Sequence, residues 1–96
     1  MPAYFLVEIL EVFDAPKYGQ YIAGVKDIVE KGGGEYIIRS DRTSPFFGDP
    51  CPARVILIKF EDRAGLEDCF ASREYKEIAP LREASTRARA CIIEDG

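Results

Sequence analysis

Residues 4–34 read YFLVEILEVFDAPKYGQYIAGVKDIVEKGGG, and a change of period inside this stretch decides the fold. From Tyr4 to Phe13 nearly every position is apolar, which reads as a strand. Alternation sends Phe5, Val7 and Ile9 to one face. Tyr4, Leu6, Leu10 and Val12 go to the other, with Glu8 among them. At Asp14 the spacing changes. An aspartate there is suited to cap the free N–H groups of a first helical turn, and Pro16 is tolerated inside that turn. Tyr18, Tyr21, Ile22, Val25, Ile28 and Val29 then recur at i, i+3, i+4, i+7, i+10 and i+11, one continuous stripe on one helix. Gly32-Gly33-Gly34 ends it, because glycine enters the left-handed conformation at a helix C-terminus without a side-chain clash.

Outward from this strand–helix unit, Glu35–Ser40 reads as a short second strand. Asp41–Pro52 follows as a polar loop that exposes Phe46 and Phe47. Ala53–Phe60 is a third strand with an apolar middle, Val55 to Ile58. A helical region over about Arg63–Ser85 turns Leu66, Cys69, Phe70, Tyr75, Ile78 and Leu81 inward, with Ser72 and Pro80 set to break or bend it. Arg87–Glu94 supplies a last strand. The order β-α-β-β-α-β is the ferredoxin-like plan, an α+β fold with an antiparallel sheet and its helices on one face, in a single domain spanning residues 1–96. Strands one and three are apolar on both faces, which is expected when both faces are covered. Helices cover only one. A second copy of the chain is the simplest cover for the other, so the expectation is a homodimer packed sheet to sheet.

Composition narrows the function classes. The chain has 17 acidic and 13 basic residues and a net charge of −4, so it lacks the basic footprint that nucleic-acid phosphates require, and no nucleic-acid partner is expected. It contains no His. That removes Ser-His and Cys-His dyads and His ligation of zinc or haem iron. Three Cys close no disulfide framework and fit no zinc spacing, which points to a reducing, cytoplasmic setting with no metal and no bound cofactor expected. Met1–Phe13 has no basic leader and is interrupted by Glu8 and Glu11. No window is apolar enough to span a bilayer, so no membrane association is expected.

The remaining chemistry falls to a few residues. Glu8 sits mid-strand among apolar neighbours, where a carboxylate needs a partner or takes a raised pKa. It is read as the candidate catalytic base, the alternative being a structural ion pair with Arg54 or Lys59 on the third strand. Arg54 and Arg82 can converge on the space between sheet and helices and grip a carboxylate, phosphate or enolate oxygen; the alternative is pairing with surface acids. Tyr36 and Tyr75 join them as binding candidates, each offering an apolar ring and a hydroxyl, whereas Tyr18 and Tyr21 stand at core spacing. Cys69 and Cys91 read as small core residues. The triple glycine follows a helix rather than opening one, so it is no phosphate loop.

Several spacings together carry a family likeness: Pro2-Ala-Tyr4, Asp14…Tyr18…Tyr21, Gly32-Gly33-x-x-Tyr36-x-x-Arg39 and Gly48-Asp49 in the first half, then Arg54-Val-x-x-Ile-x-Phe60, Ser72-x-Glu74-Tyr75, Leu81-Arg82 and Ile93-Glu94. Across essentially its whole length the chain resembles the domain of unknown function 1330 family of the dimeric α/β-barrel superfamily. The resemblance implies a ferredoxin-like dimer whose sheets close into a barrel, with ligand sites between each sheet and its helices. It implies no activity, since relatives in the superfamily include cofactor-independent monooxygenases, isomerases and haem enzymes. Pro50 stands where the family usually has Trp, Lys59 where it usually has Glu, and Cys69-Phe70-Ala71 where aromatics are usual. The functional expectation is a homodimer binding a small anionic or enolic organic molecule in a sheet–helix cleft. As an enzyme it would be a cofactor-independent isomerase or monooxygenase, with Glu8 as base and Arg54 or Arg82 on the oxyanion. The competing class is a non-catalytic ligand-sensing or dimerisation module.

Overall fold

A computed structural model describes residues 1–95. The chain runs β1 (Ala3–Val12), α1 (Ala15–Lys31), β2 (Glu35–Ser40), β3 (Arg54–Phe60), α2 (Arg63–Phe70), α3 (Arg73–Ser85) and β4 (Thr86–Glu94). Local chemistry explains the boundaries. Asp14 accepts from the Lys17 N–H at 3.0 Å, and Asp62 accepts from the Gly65 N–H at 2.8 Å; each such cap is worth about 1 kcal/mol. At the far end of α1 the Gly34 N–H reaches the Val29 carbonyl and the Gly33 N–H the Glu30 carbonyl, with Gly33 at φ 92°. This is the doubly bonded helix stop that requires a left-handed residue. The expected long helical region is two helices, because Ser72 caps a new one: its Oγ accepts from the Tyr75 N–H at 3.3 Å. Pro80 does not break α3. It lies on an exposed position, where water can take the carbonyl that the ring leaves free.

The four strands form one antiparallel sheet in the order β2-β3-β1-β4. The ferredoxin-like α+β reading holds, with strand ends within one residue of expectation. The core lies between the sheet and the helices, where Ala3, Val25, Val29, Ile58, Phe60 and Leu66 are buried. On the side away from the helices Ile38 and Ile93 stay 44% and 41% exposed. Cys91 corrects one expectation. Ala88, Ala90 and Ile92 take the helix-facing positions of β4, so Cys91 faces outward opposite Leu6 and is exposed.

Two irregularities position the site. A bulge in β2 between Tyr36 and Ile38 inserts an extra residue against β3. Where α3 meets β4 there is no loop: Ser85 ends the helix and Thr86 begins the strand. Ser85 is fully buried, and its carbonyl accepts from the Phe13 N–H at 2.7 Å, which ties this junction to the start of α1.

Candidate functional site

The helix-facing side of the sheet carries an apolar floor of Phe5, Val7, Ile9, Ile56 and Ile58, over which α1 lays Tyr18, Tyr21 and Ile22. Arg54 enters from the start of β3, opposite Ile9, and Arg82 from the last turn of α3. Tyr36 and Arg39 come from β2. Residues three apart in a regular strand face opposite ways, but the bulge shifts the parity, so Tyr36 opposes Ile58 and Arg39 opposes Ile56 on one face. The Arg39 guanidinium lies 4.8 Å from the centre of the Tyr36 ring, a cation–π contact at the exposed rim. These residues enclose a cavity of about 40 Å³. A second cavity of about 210 Å³ shares Phe5, Val7, Tyr21 and Arg82 with it and continues along Tyr75, Ala88, Arg89 and Ala90.

The electrostatics are one-sided. Three arginines line the first cavity and no Asp or Glu does. Among the described residues, Arg39, Arg54 and Arg82 enter none of the ion pairs, although Arg54 and Arg82 are half-buried. Arg54 Nε and the Tyr18 hydroxyl are buried without a hydrogen-bond partner. Such groups cost folding energy unless something pairs with them. The Tyr21 and Tyr75 hydroxyls share a hydrogen bond of 2.9 Å. Burial pushes the Tyr18 phenol up, with Arg54 and Arg82 pulling it only part of the way back. Burial and the neighbouring Tyr75 hydroxyl push Tyr21 far up, and burial raises Tyr36. These phenols are therefore neutral at physiological pH and act as donors. Burial opposes the charge on Arg82, but Tyr75 and Tyr21 beside it, with a smaller contribution from the Glu83 carboxylate, more than compensate and keep it fully protonated. The cleft can hold an anion and stabilise negative charge on oxygen.

Of the residues singled out in the sequence, Arg54, Arg82 and Tyr36 line the first cavity and Tyr75 the second. Glu8 lies elsewhere. Strand alternation puts it on the outer face of the sheet, so within a protomer it shares no site with Arg54 or Arg82. Its expected pairing with Arg54 or Lys59 is also replaced. Arg89 of β4 donates to both Glu8 carboxylate oxygens, Nε at 2.9 Å and Nη2 at 3.4 Å. β1 has a neighbour on each side, and register places Arg89 directly across. Both groups border the loop 44–52, whose Phe46 and Phe47 are 95% and 89% exposed. Arg39 was not singled out for the cleft; its only sequence signal is the spacing Tyr36-x-x-Arg39, which strict alternation makes misleading.

Among the described residues no three or more metal-ligating side chains cluster, and no helix is long and apolar enough to cross a membrane. No curated protein matches the chain. Solved structures do. A protein of unknown function from Rhodopseudomonas palustris, RPA0582, is 15% identical, with 98% of this chain and 82% of that one covered at a TM-score of 0.79. A dimeric ferredoxin-like protein of unknown function from Jannaschia sp. CCS1 is 16% identical, with 99% and 100% covered at 0.71. SnoaB, a cofactor-independent oxygenase from Streptomyces nogalater, is 8% identical, with 99% and 93% covered at 0.70. At these identities the likeness is one of fold. Residues 2–95 match the family described as Domain of unknown function (DUF1330), and the chain belongs to that family.

Proposed function

We propose that this protein binds a small organic anion in the cleft between its sheet and helices, and that it does so as a homodimer joined through the outer sheet faces. One observation carries the binding reading: Arg54 and Arg82 line an apolar cleft that contains no carboxylate, in a chain with 17 acidic residues. A protein with a surplus of acids that leaves these two unpaired has a use for their charge. The unpartnered Tyr18 hydroxyl and Arg54 Nε add donors that an oxyanion would satisfy. The pairing of protomers is supported by the partly exposed apolar outer face, with Ile38 and Ile93, and by the dimeric relative from Jannaschia.

Binding rather than proton abstraction is what the cleft is equipped for. Tyr18 and Tyr21 hold their protons, and Glu8 lies on the other side of the sheet. A substrate that arrives already ionised, as an enolate or phenolate, would find its charge stabilised here, and an oxygenase of the SnoaB kind would fit that role.

A thermal-stability screen against small carboxylates, phosphates and phenolic acids, on wild type and Arg82→Ala in parallel, tests the site. A ligand at a hundred times its Kd adds about 2.7 kcal/mol. The expected result is a shift in wild type that disappears in the variant; no shift across the library overturns the anion site. Light scattering at micromolar concentration tests the pairing, and a monomer there overturns it.

A further inference from the structure

The cavity of about 210 Å³ lies between α3 and the β1–β4 edge of the sheet. It exists because β4 places Ala88 and Ala90 on the helix-facing side, opposite Ile9 and Val7 of β1. Ala90 faces the helices and is nevertheless exposed, so solvent reaches the cavity past it. Phe5, Val7, Tyr21 and Tyr75 supply apolar walls, and Arg82 with the bonded Tyr21–Tyr75 hydroxyls forms a polar end. Among the described residues no carboxylate lines it. The adjoining cavity of about 40 Å³ has room for a charged group or one or two waters, and none for a carbon ring. By contrast, an apolar cavity of about 150 Å³ takes up benzene. The larger chamber therefore has room for one six-membered ring with a carboxylate attached.

We infer that this chamber receives the body of the ligand: a monocyclic aromatic carboxylate, its carboxylate on Arg82 and its ring between Phe5, Tyr75 and the Ala88–Ala90 floor. The inference rests on the anion site proposed above and adds its ligand class. Aromatic walls favour an aromatic guest through edge-to-face contacts. Ala88 and Ala90 are then the residues that set ligand size.

The test is titration with acetate and benzoate, followed by amide chemical shifts, on wild type and Ala90→Leu. Because Ala90 is exposed, the added side chain enters the chamber without displacing core residues. Should the Leu variant lose the native amide spectrum, Ala90→Ile replaces it. Wild type is expected to bind benzoate at least tenfold more tightly than acetate. Ala90→Leu is expected to weaken benzoate at least tenfold and leave acetate unchanged. Unaltered benzoate binding in the variant, or equal losses of acetate and benzoate, would each overturn the chamber assignment while the anion site stands. No binding of either to wild type overturns both.

Discussion

The two faces of the sheet treat arginine in opposite ways. On the outer face Arg89 meets Glu8 at 2.9 Å and Arg87 meets Glu11 at 3.8 Å, each guanidinium matched by a carboxylate from the neighbouring strand. On the inner face Arg54 and Arg82 sit half-buried and, among the described residues, enter no ion pair. Outer pairs are exposed and close their charge within the protomer. The inner arginines leave theirs open, in a place where an open charge is costly. The chain's abundant acids could have closed it, so the contrast separates charge kept for the fold from charge held for a guest.

Exchanging the treatment of the two faces gives the sharpest check. Arg82→Ala is expected to weaken binding of an organic anion by roughly tenfold to a hundredfold, the scale of a hydrogen bond to a charged group, and to leave self-association unchanged. Arg87→Ala is expected to do the reverse, because it strands Glu11 on the face proposed to meet a second copy. Calorimetric titration and sedimentation read the two effects, and a variant that moves both would dissolve the contrast. A smaller effect concerns the empty protein. Arg54→Met keeps the packing and removes an unmatched charge, so it should raise stability in urea by about 1 kcal/mol while lowering anion affinity; a loss of stability would mean that Arg54 serves the fold.

Tyr21→Phe removes the 2.9 Å bond to Tyr75 and should lower stability by about 1 kcal/mol or less. The smallest effect is alkaline. Tyr21, Tyr18 and Tyr36 hold their protons more tightly in the folded chain than in the unfolded one, whose phenols ionise near pH 10. Their contribution to stability is whole below about pH 10 and is lost as pH rises through the higher folded values. Urea midpoints should therefore fall above pH 10, and fall less in Tyr21→Phe. Equal slopes in the two proteins would show that Tyr21 ionises as readily folded as unfolded.

The fold was legible because its signals are local. Asp14, Gly33 and Ser72 fix element ends through contacts within a few residues, and the alternation of β1 gave the faces of Phe5, Val7, Ile9 and Glu8 correctly. The site was legible in part. Arg54, Arg82, Tyr36 and Tyr75 could be singled out by chemistry, and their positions follow from register. What was hidden depends on pairing between distant strands. The partner of Glu8 comes from β4, 81 positions away, and β1 alone cannot say which neighbour supplies it. Arg39 reaches the cleft through a bulge that carries no mark in the sequence. Cys91 was misplaced although alternation was open to reading: it stands in phase with Arg87 and Arg89, which face outward.

The junction without a loop between α3 and β4 has a consequence for how the cleft could be altered. Arg82 and Ala88 lie on either side of it, in the last turn of the helix and the second turn of the strand's pleat, and the Thr86 hydroxyl donates to the Arg82 carbonyl at 2.7 Å. With Ser85 immobilised beneath, no slack separates the two. The backbone that carries Arg82 and the floor of the chamber therefore forms one continuous piece, its spacing set before any guest arrives. Repertoire can then change without loss of grip: side chains on β4 can be exchanged for larger or smaller ones to admit a different guest, and the spacing between helix end and strand stays as it is.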